Sequence, residues 1–300
     1  MHRHLSNRAA LTVATLAALF AGGARAQTDP LYRYQWHLMN YGQSVLGDVR
    51  PAFGMDLGID DLHDYNIRGK GVVVSVVDEG VELAHPDLAA NVVANGSWNF
   101  NDGSHDPTPI SGDAAHGTQV GGIIAAVGWN GIGGRGVAPA ARLKSFNFLD
   151  AGGSFAQVQY AWWDGPESKD VAVSNNSWGD TIPLFLPTIA ENEVAAWENP
   201  MSATRGGLGT IYAKASGNSF SSVPHSSGEL CPVSSRQVGC SQSIFVKESN
   251  YFNIITVAAV NAAGRRSSYS TPGASVWVSG LGGEYGWERA VLAPQATPAQ

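Results

Sequence analysis

Continuous apolar runs rich in β-branched residues are the feature of this sequence that most restricts its fold. They are bounded by Gly, Asn or Ser, and they are Val72–Val77, Val171–Val173, Thr210–Ala215 and Ile254–Val260. Strands covered on both faces have this uninterrupted pattern, whereas a strand with one solvated face alternates. The runs therefore predict a mostly parallel central sheet.

Helical segments alternate with these strands. They are Thr118–Val127, Ser154–Trp163 and Thr188–Glu198. The proline of Leu186-Pro187 is a start signal for the last of them. The alternation predicts an α/β fold with helices flanking the sheet. Functional sites in such folds form outside the carboxyl ends of the strands, where Asp78, Asn175 and Asn218 would lie.

The first 26 residues have the organisation of an export signal. A basic start precedes an apolar stretch from Ala9 to Phe20, and Ala24-Arg25-Ala26 is a small-x-small cleavage site. The apolar stretch is shorter than the roughly 20 residues that a membrane span requires. We therefore expect a secreted or periplasmic protein without a membrane span; a buried N-terminal helix is the alternative.

Residues 27–300 are long enough for one large α/β domain and contain no low-complexity linker. The formal net charge is −7, and no basic stripe with interleaved aromatics is present, which argues against nucleic-acid binding.

Ser, Gly, Pro and Cys are frequent in the segment from Ser216 to Lys247, which predicts a long surface loop. Its two cysteines, Cys231 and Cys240, are close in sequence in an exported chain and predict a disulfide; two free thiols are the alternative.

Asp78 and His116 are the first candidates for catalysis. Asp78 ends a predicted buried strand, and His116 precedes a helix of small residues. A serine hydroxyl needs an imidazole to accept its proton and a carboxylate to fix the tautomer of that imidazole. Spacing alone leaves a second interpretation open, in which Asp78 is a turn residue and His116 a helix cap.

Several motifs in a fixed order resemble the catalytic domain of the subtilisin-like serine proteases, within them the kexin and proprotein convertase branch. The matching stretches are Thr28-Asp29-Pro30, Gln35–Leu38, Gly71–Gly80, His85–Leu88, His116–Ala126, Gly136–Pro139, Asn176–Gly179 and Ala215–Asn218. The resemblance covers most of the chain after the export signal and implies a three-layer subtilisin-like fold.

The resemblance also implies roles for individual residues. Asp78 would orient His116, His116 would act as general base and then acid, and the Asn218 amide would stabilise the oxyanion. A further set would bind the peptide substrate: Glu79, Asp113, Ser177, Trp178 and Gly179. Convertases that cleave at paired basic residues have acidic residues near the first pocket, but here Ile182 and Pro183 occupy that region. Strict arginine selectivity is therefore not expected, whereas Glu79 and Asp113 leave a basic residue at the second subsite open.

A structural calcium site is the third implication of the resemblance. Its ligands would be the side chains of Asp29, Asp87 and Asn130 and the carbonyls of Val127, Ile132 and Gly134. Six hard oxygens suit calcium. Without the resemblance, the glycine-rich segment from Trp129 to Gly134 would be interpreted as an ordinary turn.

The serine nucleophile of this family is expected in a Gly-Thr-Ser-x-Ala-x-Pro segment, and residues 1–300 contain no such segment. We therefore expect a domain that is truncated before its nucleophile helix and inactive as it stands. The function predicted is that of a secreted, monomeric serine endopeptidase acting on polypeptides. A serine-less pseudoprotease that binds peptides, and a general calcium-binding module, are the alternatives. Because the family landmarks begin just after the export signal, folding help and inhibition would come from elsewhere or be unnecessary; a separate folding helper or inhibitor is the hypothesis.

Overall fold

The predicted sheet is present, and its seven strands are all parallel. The computed structural model describes residues 28–43, 51–110, 115–179, 186–189, 191–220 and 241–284. The strands are β1 (Val73–Asp78), β2 (Trp98–Asn99), β3 (Arg142–Asn147), β4 (Val173–Asn176), β5 (Ile211–Ala215), β6 (Ile254–Val260) and β7 (Val276–Leu281). Their order across the sheet is β2-β3-β1-β4-β5-β6-β7.

Helices cover both faces of the sheet. The α-helices are α1 (Asp60–Asp64), α2 (His116–Ala125), α3 (Phe155–Gln159) and α4 (Glu191–Ser202). Successive residues of a strand face opposite sides. Val76 belongs to a buried cluster with Ala125 of α2, whereas Val77 belongs to another with Trp162 and with Trp197 of α4. The three-layer α/β architecture predicted from the sequence is therefore confirmed.

The strand boundaries differ from the apolar runs where polar side chains are buried. The run Val171–Val173 supplies only the first residue of β4, which continues through Ser174, Asn175 and Asn176. Asn176 is fully buried; its Oδ1 accepts from Trp162 Nε1 at 2.7 Å, and its Nδ2 donates to the Ala213 carbonyl at 3.2 Å. Because these bonds give the side-chain amide of Asn176 hydrogen-bond partners, this polar residue can occupy a buried position in β4.

The helices begin and end at identifiable signals. α3 begins after Ser154, whose side chain and that of Gln157 form a reciprocal capping box. The predicted segment Ser154–Trp163 continues from α3 as a π-helical turn, Tyr160–Asp164. The segment predicted over 118–127 begins two residues earlier, at His116, and that predicted over 188–198 is shifted to Glu191–Ser202.

The predicted surface loop from Ser216 to Lys247 is wrong at both of its described ends, and Ser216 and Ser219 at the first end are 2% and 5% exposed. Ser241 and Ser243 are fully buried, Val246 is 3% exposed, and a 3₁₀ helix spans Ser243–Phe245. Ser243 is buried because its polar groups have partners: its amide donates to the Pro272 carbonyl at 2.8 Å, and Ser275 Oγ donates to its Oγ at 2.6 Å. Residues 221–240, which include both cysteines, lie outside the described residues, as does the export signal.

Strand order fixes where a site can form. The chain builds β3 and β2 on one side of β1 and then crosses to β4 on the other side. A crevice opens at the carboxyl ends of the strands where the order reverses in this way. Asp78 ends β1, and Ser177 follows β4 directly.

Among the described helices, none has both the length and the apolar character needed to cross a bilayer.

Candidate active site

Asp78 is a fully buried carboxylate at the end of β1. Its Oδ1 accepts from the backbone amide of Glu79 at 2.9 Å and is 2.9 Å from His116 Nδ1. Its carbonyl accepts from the Phe148 amide at 3.0 Å, which fixes the strand end. Asp78 is therefore held in place and presents one oxygen to the imidazole.

His116 is the first residue of α2, and its side chain is 53% exposed. The start of this helix lies close to the loop after β1: a Cβ added to Gly117 would be 2.1 Å from the carbonyl oxygen of Gly80. Only glycine permits this approach. Glu79 Oε1 accepts from the backbone amide of His116 at 2.5 Å. His116 is thus held by two residues, by Asp78 through its ring and by Glu79 through its backbone amide.

The pKa of His116 is raised above its ordinary value of 6.5. The largest cause is the hydrogen bond to Asp78; partial burial acts in the opposite direction, and the charges of Asp78 and Glu79 raise the pKa further. A raised pKa means that Asp78 stabilises the imidazolium that forms when His116 accepts a proton. The arrangement is suited to a general base.

The acid limb of any His116-dependent activity should therefore have its midpoint above pH 6.5. Below that midpoint His116 is protonated and cannot accept a proton. Glu79→Gln keeps an acceptor for the His116 amide but removes a charge that raises the pKa, so the midpoint should move to lower pH. The pH dependence of kcat/KM measures it, with Asp61→Asn on α1 as the charge control. An unchanged midpoint in Glu79→Gln would contradict this account.

Asn218 lies three residues beyond β5, on the strand-end side of the sheet that also carries Asp78. It is exposed, and Gly217 before it has φ of +105°. The turn is fixed because the Thr271 amide donates to the Gly217 carbonyl at 2.9 Å and the Ser219 amide donates to Thr271 Oγ1 at 2.9 Å. Asn218 is thus an exposed residue on an anchored turn.

The predicted substrate segment, Ser177 to Gly179, follows β4 between the ends of β1 and β5. Asn175 Nδ2 donates to Ser177 Oγ at 2.9 Å. The half-buried Trp178 packs edge-on against Phe148, with 4.9 Å between ring centroids. Gly179 is exposed. Asp113, Ile182 and Pro183 lie outside the described residues.

Three of the predicted calcium ligands, Asp29, Asp87 and Asn130, are joined by hydrogen bonds, and of these Asn130 is exposed, as is the predicted ligand Ile132. Asp29 and Asp87 are each 2% exposed. Asp29 Oδ1 accepts from the Asn130 amide at 3.0 Å, and Asp87 Oδ2 accepts from the Gly134 amide at 3.1 Å. The side chain of Asn130 donates to Asp87 Oδ1 at 2.7 Å. Val127 and Ile132 lie on the same loop, and the Val127 amide donates to the Asp87 carbonyl at 2.8 Å.

The charges in this cluster fit a cation. Burial is the largest cause that raises the pKa of Asp87, and the charge of Asp29 also raises it. One guanidinium, that of Arg135, pairs with Asp29 at 3.2 Å. Carboxylate and amide oxygens are the ligands that calcium prefers, and Asp29, Asp87 and Asn130 carry such oxygens. No three His, Cys, Asp or Glu side chains form a metal cluster in the described ranges, so such a site would depend on Asn130 and carbonyl oxygens.

Arg135 is a residue that the sequence motifs did not single out. It is 3% exposed, and its guanidinium lies 3.7 Å from the ring centroid of Trp129 and 4.1 Å from that of Tyr32. Arg68 lies 3.6 Å from the same Trp129 ring. This cationic stack joins the N-terminal segment to the glycine-rich loop. No local pattern could have indicated it, because its members are far apart in sequence.

Fold and site together define an α/β protein in which a buried aspartate is bonded to a histidine at the carboxyl ends of parallel strands. Residues 69–292 match the Peptidase_S8 model of the subtilase family. The match covers more than half of the chain, and the chain belongs to the subtilase family.

Similarity to named proteases supports this assignment. The chain is 37% identical over 282 residues to the extracellular serine protease of Aeromonas sobria, covering 90% of this chain and 43% of that protein. It is 34% identical over 194 residues to the dibasic-processing endoprotease of Schizosaccharomyces pombe, covering 64% of this chain and 25% of that one. The crystal structure of the Aeromonas sobria protease in complex with its chaperone superposes with a TM-score of 0.78 and 35% identity, covering 89% of this chain and 45% of that chain. The chain thus spans less than half the length of these relatives.

Proposed function

We propose that this chain is the larger part of the catalytic domain of a secreted serine endopeptidase. The observation that carries the proposal is the 2.9 Å contact between His116 Nδ1 and the buried Asp78. Engaging Nδ1 with a carboxylate leaves Nε2 for a serine hydroxyl, which is the tautomer that a triad requires. The second candidate, peptide binding without catalysis, gains no support from a bond that orients an imidazole.

In the proposed mechanism, His116 Nε2 accepts the proton of the serine hydroxyl while that oxygen attacks the peptide carbonyl. Asp78 stabilises the resulting imidazolium. The Asn218 amide donates to the oxyanion, a contribution of about 3 kcal/mol to transition-state stabilisation. His116 then returns the proton to the leaving amine, and the acyl-enzyme forms. In the second half of the reaction, His116 accepts a proton from water while the water oxygen attacks the acyl carbonyl, and it then returns that proton to the departing serine oxygen.

The nucleophile is proposed to lie outside residues 1–300. None of the serines from Ser267 to Ser279 has the Gly-Thr-Ser-x-Ala context. Ser267 and Ser270 are instead buried at 0% and 1% exposure, and Ser267 Oγ donates to the Gly283 carbonyl at 2.6 Å. These contacts support structural roles for them.

A serine-directed fluorophosphonate tests the proposal on the protein expressed from its whole gene. We expect one labelled peptide, with the label on a Ser in a Gly-Thr-Ser-x-Ala sequence, and hydrolysis of an unfolded protein substrate. An intact, folded protein that neither takes up the label nor cleaves the substrate would overturn the proposal.

Peptide substrates are proposed to bind along Ser177 to Gly179. This segment lies between the Asp78 and Asn218 strand ends, and the exposed Gly179 leaves room for an approaching backbone. The relation to the kexin branch is part of the proposal, supported by the partial match to the yeast processing enzyme. Glu79 and Asp113 would favour a basic residue at the second subsite, although one oxygen of Glu79 already accepts from His116.

Structural calcium is proposed at the cluster of Asp29 and Asp87. When bound, the ion would supply positive charge to two buried carboxylates and join the N-terminal segment to the glycine-rich loop. We expect that a chelator lowers the melting temperature, that calcium restores it, and that Asp87→Asn reduces the difference between the two states. A melting temperature that is the same with chelator and with saturating calcium would exclude calcium as a stabilising ligand.

Export and a folding helper complete the proposal. The N-terminal signal and the relative described as extracellular support export. The crystal structure of the Aeromonas sobria protease with its chaperone supports a helper for this chain also. Active enzyme obtained from the whole gene alone, at the yield obtained with a co-expressed helper, would exclude the helper.

A further inference from the structure

A buried lysine lies directly behind the proposed substrate segment. Lys214, on β5, is 1% exposed, and its ammonium donates to the carbonyl oxygen of Trp178. The same nitrogen lies 3.9 Å from the centroid of the Trp178 ring. It is also 3.6 Å from the position that a Cβ on Gly179 would occupy. One side chain therefore contacts both the backbone and the indole of this segment.

Lys214 acts at the point where the strand ladder ends. Asn176 and Lys214 are the last pair in the register of β4 with β5, so the residues that follow Asn176 leave this ladder. Trp178 is then held by Lys214 and by the rings of Phe148 and Trp162, at 4.9 and 6.2 Å between centroids. Ring contacts restrain the indole, whereas the hydrogen bond from Lys214 restrains the peptide plane.

The direction of the Trp178 carbonyl determines what the segment offers to a substrate. Successive carbonyl groups of an extended chain point to opposite sides. In an extended segment, a Trp178 carbonyl that is directed inward places the backbone groups of Ser177 and Gly179 on the open side. Those groups can then pair with an extended peptide, as in the addition of a strand to a sheet edge.

We propose that Lys214 is a positioning residue for peptide substrates, which fixes the Trp178 carbonyl so that the backbone of Ser177 and Gly179 can pair with the chain being cleaved. This role rests on the proposed peptidase function. It requires no contact between Lys214 and the reacting atoms. Its effect should grow with the number of substrate residues that pair with the segment.

The test compares two substrates on the protein expressed from its whole gene. One is an extended peptide amide with four residues before the scissile bond, and the other is a single-residue ester. Lys214→Met keeps the length of the side chain but removes the donor. We expect kcat/KM for the peptide to fall about 10- to 100-fold and that for the ester to change less than about threefold, since misplacement affects only the paired substrate. Lys214→Arg, which retains the donor and the ring contact, should restore most of the loss.

Lys169 provides a matched control, because its ammonium also donates to a tryptophan carbonyl, that of Trp163, at the other end of β4. Lys169→Met should leave the ratio of peptide to ester rates unchanged. A wild-type protein without peptidase activity would overturn the proposed function itself. An active wild type in which Lys214→Met lowers both rates equally, or neither, would overturn the positioning role alone.

Discussion

His116→Ala, introduced into the protein expressed from its whole gene, is expected to lower kcat for peptide hydrolysis by about 10⁶-fold. Asp78→Asn should cost about 10⁴-fold, because the imidazole loses the carboxylate that fixes its tautomer and stabilises its protonated form. The two losses should not add, since both residues serve one proton transfer. Steady-state kinetics on a chromogenic peptide, with protein concentration checked by absorbance, measure both effects.

His105→Ala is the matched control for this prediction. Its Nδ1 lies 2.9 Å from the Ser97 carbonyl and 3.8 Å from the Glu167 carboxylate, rather than against Asp78 or His116. Activity should remain within about a factor of three, because surface substitutions rarely change stability or activity strongly. Residual activity near the wild-type level in His116→Ala would show that another residue accepts the proton.

Arg135→Met is expected to lower the free energy of unfolding by about 3–5 kcal/mol, the usual cost of removing one partner from a buried ion pair. The substitution leaves the buried Asp29 carboxylate without its guanidinium and removes the cationic layer between Trp129 and Tyr32. Urea unfolding at fixed calcium concentration measures the change as a shift in midpoint at constant slope.

Arg142→Met controls for the loss of an arginine as such. Arg142 is exposed and donates to the carbonyls of Ala90 and Val92, so its removal should cost less than about 1 kcal/mol. An unfolding midpoint for Arg135→Met equal to that of wild type would show that the ion pair contributes no net stability.

The sequence predicted the parts of the fold that depend on continuous apolar burial. β1, β5 and β6 were indicated by their runs because apolar residues predominate in each, although β1 contains Ser75 and β5 contains Lys214. β3 was not predicted, since Lys144 and Ser145 interrupt it. Lys144 is nevertheless buried: its ammonium donates to the Glu167 carbonyl at 2.8 Å and pairs with Asp170 at 2.6 Å. Such partners lie more than 20 residues away, so no local pattern contains them.

The candidate site also contains residues that local sequence patterns indicate and residues whose importance depends on distant partners. Asp78 and His116 could be identified as a pair because each ends or begins an element and belongs to an ordered set of motifs. Arg135 and Lys214 could not, because what makes them important is the tertiary neighbourhood of one guanidinium and one ammonium. The contact between Glu79 and the His116 amide was also missed, because the sequence indicated Glu79 only as a possible substrate contact.

The two parts of the candidate site pack on opposite faces of the sheet, and this has a consequence for engineering the protein. His116 stands on α2, whose core contacts include Val76 and Leu143, while Trp178 rests on the aromatic cluster of Phe148 and Trp162 on the opposite face. The core contacts of α2 and those of Trp178 therefore belong to different packing clusters, although the Phe148 amide also donates to the Asp78 carbonyl. Libraries that vary aromatic side chains other than Phe148 are therefore expected to alter the proposed substrate segment more than the contact between Asp78 and His116.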